Sequence, residues 1–236
     1  MRLDNPDRGS LVREMFNRIC SRYDLNNRVL SLGLDRYWRW RAVRLLGLRR
    51  GDSVVDICCG TGDLCKALHK VVSPGQVVGV DFADEMLAIA RTKFPEFHYV
   101  EADALAVPLE GGFKAATIAF GPRNIPDLNG LWTEMKRLVV PGGQVLSLEL
   151  TRPKGLLGKL HSFYLGVVVP RLGGWLSGDP DAYAYLSKTI AGFISSEALV
   201  ESMQAAGLVV VRAIPLCGGI VTVHIGKRPD VTDSGA

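Results

Sequence analysis

The sequence predicts an α/β protein with a doubly wound, mostly parallel β-sheet that an antiparallel C-terminal hairpin closes. Between residues 51 and 151, short runs rich in valine and isoleucine alternate with helical patterns, which is typical of βαβ units. Residues 208–227 contain two apolar runs joined by Gly218-Gly219, which predicts the hairpin. The 236 residues, 47% apolar and 22% charged, suffice for the core of one large domain.

The N-terminal region, about residues 8–48, is predicted to form helices that cap this sheet. LVREMFNRICSRY carries apolar residues at helical spacing, and LDRYWRWRAVRLLGL continues the pattern before an Arg-Arg-Gly stop. Residues 51–151 are predicted to form the cofactor-binding core.

The core should contain five strands whose carboxyl ends meet at one edge of the sheet, where such sheets bind ligands. The predicted strands are SVVDICC, QVVGVDF, FHYVEAD, KAATIAF and GQVLSLEL, and the helices between them are GDLCKALHKVV, ADEMLAIARTKF and LNGLWTEMKRLV. The second of these helices has acidic residues in its first turn, where the helix dipole favours them.

The alternation ends after the core. Residues 152–195 are helical and aromatic without a clear strand, so we expect a helical insertion that acts as a lid. Residues 196–228 should supply a closing helix and the hairpin, and PDVTDSGA at the end reads as a loose tail.

Composition excludes several classes of protein. A net charge of +4 is too small to indicate nucleic-acid binding. The polar start MRLDNPDRGS does not resemble a signal peptide, and no apolar run reaches the roughly 18 residues of a spanning helix. We therefore expect a cytoplasmic protein that is at most peripheral to a membrane.

The cysteines and histidines predict no metal site. The five cysteines form no CxxC pair, and Cys65 and His69, although spaced i,i+4, fit helix packing better than metal ligation. His161 and His224 are interpreted as structural residues, one on a helix face and one in the last strand.

The turn VVDICCGTGD after the first strand predicts a nucleotide-type cofactor. Gly60 and Gly62 allow a sharp turn and close approach of a ligand. A dinucleotide would want a third glycine, which is missing, and Asp63 would repel a pyrophosphate. S-adenosylmethionine has no phosphate and is cationic at its sulfonium, so Asp56 and Asp63 are compatible with it.

Further cofactor contacts are predicted at the ends of the next two strands. Asp81 ends the second strand, where a carboxylate can accept both ribose hydroxyls. After the third strand, Asp103 can accept from an adenine amino group and the Ala104 N–H can donate to a ring nitrogen.

Several stretches together resemble the UbiE/MenG/Coq5 family of quinone-biosynthesis C-methyltransferases, which are class I methyltransferases. The likeness rests on FNRICSRYDLNNRVLSLGLDRYWR, DICCGTGDL, FGPRNIPD, LVVPGGQVLSLEL, SGDPDAYAYLSKTI and LCGGIVTVHIGK, in this order along nearly the whole chain. The resemblance implies a Rossmann-like fold and S-adenosylmethionine as the methyl donor. It also implies donor contacts from Thr61, Asp81, Asp103, Ala104 and Ala119.

The implied reaction is methylation of a ring carbon on a prenylated naphthoquinol or benzoquinol. We expect demethylmenaquinol, with the 2-polyprenyl-methoxy-benzoquinol of ubiquinone synthesis as the alternative. Another small acceptor, or a non-catalytic scaffold in a quinone-synthesis complex, is the competing interpretation; the missing glycine disfavours an NAD enzyme.

Three positions depart from the family pattern. Asp35 stands where the family usually has His, Pro122 where it has Leu, and Leu216-Cys217-Gly218-Gly219 replaces an LTxG pattern. Asp35 remains a candidate base.

The pair Arg123-Asn124 is the main catalytic candidate, because methylation at carbon requires a phenolate-like ring. Arg123 would stabilise the developing phenolate, and Asn124 would orient a water or the ring oxygen. Alternatively, Arg123 pairs with a nearby acid such as Asp127 and fixes the loop. Pro122 and Pro126 are expected to stiffen this turn.

Three tyrosines are weaker candidates. Tyr23, which with Asp24 would cap the site, can hydrogen-bond the substrate or simply pack. Tyr183 and Tyr185 can line the ring site from the lid or belong to the core.

Residues 36–51 combine six arginines with tyrosine and tryptophan, which suits an anionic membrane surface holding a lipid-soluble quinol. A solvated basic helix face with buried tryptophan explains the same pattern, and RNA is a weaker interpretation. The sequence also leaves a homodimer open.

Overall fold

The computed structural model describes residues 8–230, so the start of the predicted polar N-terminus and most of the predicted tail lie outside the described residues. Seven strands in this part of the chain form one sheet in the order β3-β2-β1-β4-β5-β7-β6. The strands are β1 Val54–Ile57, β2 Val77–Asp81, β3 His98–Glu101, β4 Phe113–Ala119, β5 Val139–Leu150, β6 Val209–Leu216 and β7 Val221–Lys227. Strands β1 to β5 pair in parallel, and β7 is antiparallel to both β5 and β6. This topology confirms the predicted fold class.

Helices cover both faces of the sheet, and this is why β1 is buried along its whole length. The helices are α1 Arg8–Leu30, α2 Leu34–Leu46, α3 Asp63–His69, α4 Asp84–Lys93, α5 Leu128–Leu138, α6 Gly155–Phe163, α7 Val169–Ser177, α8 Pro180–Gly192 and α9 Ser196–Ala205. A π-helical segment, Tyr164–Val168, joins α6 to α7. One core forms where α2 and α3 pack on the sheet, and another where α5 and α9 pack on the opposite face.

Helix α1 and the helical insertion form a third packed unit near the carboxyl ends of the strands. Val12 and Ile19 of α1 pack with Val169 of α7 and Tyr183 of α8. At one end, the Arg13 guanidinium of α1 reaches the Glu101 carboxylate at the end of β3, 2.8 Å away. Helix α1 therefore lies across the edge of the sheet where the ligand site is expected.

Two boundaries differ from the sequence-based prediction. Strand β5 begins at Val139 and contains the Pro-Gly-Gly turn as an irregularity, because Val139 still pairs with Phe113 before the regular register starts at Gln144. The hairpin connection spans residues 217–220, including a short 3₁₀ turn, instead of two glycines.

Candidate active site

The turn after β1 has a backbone that few residues other than glycine adopt. Gly60 and Gly62 have φ values of 54° and 84°, and Cys58 also lies in the left-handed region at 53°. A Cβ on Gly62 would approach the Tyr99 hydroxyl to 2.9 Å. Phe120, at the end of the neighbouring strand β4, has a φ of 59°. Non-glycine residues in this region cost about 1–3 kcal/mol each and cluster at functional sites.

Asp81 fastens the glycine turn to the loop after β2. One carboxylate oxygen accepts the Gly60 N–H at 2.8 Å, and the other accepts the Ala83 N–H at 2.9 Å. Burial raises the pKa of Asp81, and these backbone donors counteract part of that rise. A carboxylate accepts up to about four hydrogen bonds, so Asp81 retains capacity to accept from a ligand hydroxyl.

A cavity of about 200 Å³ opens at this point, and we call it the donor cavity. Predicted donor contacts that line it are Gly60, Asp81, Asp103, Ala104 and Ala119. Among the described residues that line it, none is a lysine or arginine, and two are aspartates. This chemistry fits a cationic nucleoside such as S-adenosylmethionine and would not neutralise a pyrophosphate.

Three predicted donor residues, Asp56, Thr61 and Gly62, are not among the residues that line the cavity. Asp56 lies inside the protein, where it accepts from the Thr117 hydroxyl at 2.7 Å and from the Cys65 thiol at 3.6 Å. Burial raises the pKa of Asp56 to about 7. In this geometry Asp56 holds β1, β4 and α3 together.

Thr61 belongs to a polar cluster that joins α1 to the glycine turn. Its hydroxyl donates to Asp24 at 2.5 Å, and the Lys93 amine pairs with Asp24 at 2.5 Å and with Asp63 at 2.9 Å. Asp63 is thus paired with a cation, so the repulsion of a pyrophosphate inferred from the sequence is weaker than expected. Lys93 was not singled out from the sequence, because nothing local marks it.

A second cavity of about 330 Å³, which we call the acceptor cavity, lies between the N-terminal helices and the insertion. Its wall is largely aliphatic and aromatic. The polar side chains that line it are Tyr23, Asn27, Ser31, Asp35, Arg39, Arg123, His161 and Tyr164.

The two cavities share a wall. Tyr23 and Phe120 line both of them. The Arg123-Asn124 pair straddles this wall, because Arg123 lines the acceptor cavity and Asn124 lines the donor cavity. A short 3₁₀ turn, Pro122–Asn124, places them there. The geometry places the two cavities on either side of one turn.

Arg123 is buried and paired, but with a different acid from the one considered in the sequence. Its guanidinium donates to the Glu149 carboxylate at 2.7 Å, whereas Asp127 accepts the Gly130 N–H and caps α5. Glu149 lies on β5 beside β4, fully buried. A lone acid in the apolar strand LSLEL was the available sequence signal for it.

The lid tyrosines belong to the packed core of the insertion. Tyr183 accepts from the Asn26 amide at 2.7 Å, away from both cavities. Tyr185 donates from its hydroxyl to the Asn124 side chain at 3.3 Å, so it supports the pair without lining the acceptor cavity. Burial raises the pKa of Tyr23, whose position on the shared wall is compatible with substrate contact.

Asp35 and His161 have surroundings that differ from those expected from the sequence. Asp35 is buried and accepts from Arg39 at 2.6 Å and from the Ser31 hydroxyl at 3.1 Å. His161 faces the acceptor cavity instead of serving only as a helix-face residue, whereas His224 contacts Ser196 at 2.8 Å as a structural residue. In the described part of the chain no group of three histidine, cysteine or acidic side chains could hold a metal ion.

This fold, with a donor cavity that no described lysine or arginine lines beside a largely apolar acceptor cavity, is compatible with the class of S-adenosylmethionine-dependent methyltransferases. The model of the ubiE/COQ5 methyltransferase family matches residues 4–228, and the chain belongs to that family. The membership confirms the predicted function, a C-methyltransferase of menaquinone or ubiquinone biosynthesis that uses S-adenosylmethionine. The scaffold and NAD alternatives are not supported.

Relatives cover nearly the whole chain. A demethylmenaquinone methyltransferase of Thermus thermophilus is 44% identical over 91% of this chain and 100% of its own length. The ubiquinone/menaquinone biosynthesis C-methyltransferase UbiE of Saccharophagus degradans is 36% identical over 97% of this chain and 95% of its own length.

Solved structures support the fold. A S-adenosylmethionine-dependent methyltransferase from Thermotoga maritima aligns with a TM-score of 0.67 at 20% identity, covering 91% of this chain and 98% of that one. Phosphoethanolamine N-methyltransferase 2 from Haemonchus contortus, in complex with S-adenosylmethionine, aligns with a TM-score of 0.58 at 15% identity, covering 81% and 52%.

Proposed function

We propose that this enzyme methylates a ring carbon of demethylmenaquinol, a prenylated naphthoquinol, in the acceptor cavity. The observation that carries the proposal is the shared wall of Tyr23 and Phe120 between the two cavities, with Arg123 on the acceptor side. An acceptor ring against this wall lies next to the methyl donor. Such positioning can contribute roughly 7–11 kcal/mol to catalysis.

The donor cavity supplies the contacts that hold S-adenosylmethionine. Asp81 and Asp103 would accept from its ribose and adenine, with Ala104 and Ala119 packed against it. When bound, this cofactor supplies an electrophilic methyl group on a sulfonium. The part of the protein is to hold the ring close, keep water away, and stabilise negative charge on a ring oxygen with Arg123.

The acceptor cavity suits a ring with a long apolar tail. Its inner end carries Tyr23 and Arg123, whereas Leu32, Leu157 and Leu160 line it and are exposed to the outside. The ring would lie inside and the prenyl chain would leave between the leucines.

Naphthoquinol is favoured over benzoquinol because relatives at 33–44% identity from Thermus thermophilus and Staphylococcus aureus are named demethylmenaquinone methyltransferases. The test supplies short-chain demethylmenaquinol or 2-prenyl-methoxy-benzoquinol with labelled methyl donor. We expect kcat/KM at least ten-fold higher for the naphthoquinol. The oxidised quinone, which lacks ring hydroxyls, is the matched control and should not react. Equal or reversed preference would assign the benzoquinol instead, and no transfer to either would leave a different small acceptor.

We also propose that the mouth of the acceptor cavity contacts an anionic membrane surface at the inner face of the cytoplasmic membrane. Leu32 and Leu160 line the cavity and are 84% and 59% exposed. Leu156 and Phe163 lie in the same helix as Leu160 and are 74% and 63% exposed. No helix among residues 8–230 is long and apolar enough to cross a bilayer. Surface contact is therefore the arrangement by which this mouth would meet a lipid-soluble acceptor.

Charge around the mouth supports an anionic surface. Residues 22–41 and 154–171 carry eight lysines and arginines but two acids, Asp24 and Asp35. Both acids are paired, with Lys93 and Arg39 respectively. Each basic residue near an anionic leaflet contributes about 1 kcal/mol. In the predicted basic segment Trp38 is buried, while Tyr37 and Trp40 are exposed with ring centroids 5.9 Å apart.

Vesicle sedimentation tests this contact. We expect the Leu156→Gln/Phe163→Gln double variant to bind phosphatidylglycerol vesicles at least ten-fold more weakly than the wild type, because burial of each side chain contributes about 1.5–3 kcal/mol. Val210→Gln, at an exposed apolar residue of β6, is the matched control and should bind normally. Equal binding of the double variant, or no binding by the wild type at low salt, would contradict the proposal. The homodimer stays a prediction.

A further inference from the structure

Helix α6 carries its side chains in an inverted arrangement. Within Gly155–Phe163, all of which the structure describes, His161 is the only buried residue, whereas Leu156, Leu160 and Phe163 are exposed, although Leu160 also lines the acceptor cavity. An ordinary amphipathic helix would bury the leucines and expose the histidine. The burial of a histidine ring in place of leucine side chains suggests that the ring has a function on the buried side of the helix.

The inner side is the acceptor cavity, which His161 lines together with Arg123 and Tyr23. The π-helical segment directly after α6 supplies Tyr164 and Leu165 to the same wall. Such segments are rare and frequently occur at functional sites. Among the described residues, none forms a hydrogen bond with the His161 ring, which lines the cavity and can meet a ligand there.

We propose that His161 accepts the proton of the acceptor's ring hydroxyl and is thereby a catalytic residue of the methyl transfer. The proposal rests on the quinol acceptor inferred above. Loss of the hydroxyl proton makes the ring oxygen anionic and raises electron density at the neighbouring ring carbon, while Arg123 on the same cavity stabilises the anion.

The exchange balances without a further reactant. The hydroxyl proton moves to an imidazole nitrogen of His161, and the electron pair left on oxygen drives formation of the new bond at carbon as the methyl leaves its sulfur. The ring carbon then loses its hydrogen as a proton, and the proton on His161 returns to the ring oxygen. One methyl is gained and one proton is released.

The other ionisable groups that face this cavity are less suited to accept a proton. They are Tyr23, Asp35, Arg39, Arg123 and Tyr164. Both oxygens of Asp35 accept hydrogen bonds from the protein, which weakens its candidacy as the base. Burial raises the pKa of Tyr23 and of Tyr164, and a guanidinium group has donors but no acceptor. Burial lowers the pKa of His161, so its imidazole is neutral and able to accept at neutral pH.

The first test measures ionisation of a bound phenol without any methyl donor. 1-Naphthol is titrated with pH in the presence of saturating protein, and absorption separates naphthol from naphtholate. We expect the apparent pKa of bound 1-naphthol to fall by about one unit in His161→Gln relative to the wild type, because the neutral imidazole of the wild type accepts a hydrogen bond from the hydroxyl and so stabilises the protonated phenol. His98→Gln is the matched control, because His98 is exposed and lies outside both cavities. An unchanged titration in His161→Gln would overturn the proposal.

The second test measures turnover as a function of pH at a saturating concentration of methyl donor. Under this condition a change in the protonation of Asp81, whose pKa is raised by burial, does not alter the fraction of enzyme that holds the donor. We expect His161→Gln to lower kcat by about 10²–10⁴-fold and to abolish the loss of activity that protonation of His161 causes below its pKa. His161→Ala should recover activity when imidazole is added, which a purely structural role would not allow. Wild-type kcat in His161→Gln would refute His161 alone, whereas absence of quinol methylation by the wild type would refute the acceptor itself.

Discussion

The buried ion pair between Arg123 and Glu149 allows a quantitative prediction of how the free energy of unfolding changes when one partner is removed. The Glu149 side chain is fully buried and the Arg123 side chain is 6% exposed, and their charged atoms are 2.7 Å apart. Arg123→Met removes the cation and leaves an uncompensated carboxylate inside the protein. Removal of one partner of such a pair costs about 3–5 kcal/mol, which corresponds to a melting temperature lower by about 6–20 °C in a domain of this size.

Denaturation by urea, with a double-mutant cycle, measures this cost. Arg123→Met should lower the free energy of unfolding by about 3–5 kcal/mol, and Arg123→Met/Glu149→Gln should recover much of it because no buried charge remains. Arg13→Met is the control, since Arg13 contacts two carboxylates at the surface, where such pairs contribute about 0–1 kcal/mol. A loss below about 1 kcal/mol in Arg123→Met, or strict additivity in the double variant, would refute the reasoning.

The same double variant separates stability from catalysis. A single substitution at Arg123 lowers both the fraction of folded protein and the turnover number. Its activity alone therefore cannot separate a loss of stability from a loss of catalysis. The recovered double variant should bind S-adenosylmethionine with wild-type affinity by calorimetry and should lose about 10²–10³-fold in kcat, which is typical when one donor to a developing anion is removed. Wild-type turnover in that variant would remove Arg123 from the mechanism.

Two further predictions concern residues around the donor cavity. Asp56 has a pKa raised to about 7, so the folded state binds more protons than the unfolded state between about pH 4 and 7 and loses stability as pH rises through this window, by at most about 4 kcal/mol. Asp56→Asn should lack this component in denaturation curves between pH 4 and 8, and an unchanged pH slope would contradict it. Lys93→Met removes the cation between Asp24 and Asp63 and should speed hydrogen exchange near Asp24 in α1 by about ten-fold, since partly buried charged contacts are lost. Lys66→Met, at an exposed lysine for which the described residues show no carboxylate partner, should not, and equal exchange in the two variants would refute the link.

Much of the site followed from local sequence. Asp81 ends strand β2, the glycine turn follows β1, and Arg123 lies in the turn that follows β4. The alternation of strand and helix patterns in the sequence identifies these strands. Parallel strands bring their carboxyl ends to one edge, so residues that follow them meet without any knowledge of packing. The family motifs added the donor and the class of acceptor on top of this order.

Other features depended on contacts between distant segments. Glu149 is 26 residues from Arg123, and Lys93 is 69 residues from Asp24. His161 was interpreted as structural, because its helix alone does not reveal that the acceptor cavity lies on its inner side. Asp56 was predicted to contact the methyl donor, but its side chain hydrogen-bonds to Thr117 and Cys65 inside the protein. The sequence pattern shows that Asp56 follows a buried strand, but it does not show which neighbouring side chains the carboxylate meets.

The sequence by itself determined the order of the elements, the edge of the sheet where we propose that the ligand binds, and the family, since these depend on local periodicity, turn residues and motifs. Only the tertiary structure decided which charges pair, which side chains face a cavity, and that the donor and acceptor cavities share the wall of Tyr23 and Phe120. The physical reason is that pairing and burial are set by the packing of α1, the insertion and the sheet against one another, and those surfaces come from segments more than a hundred residues apart.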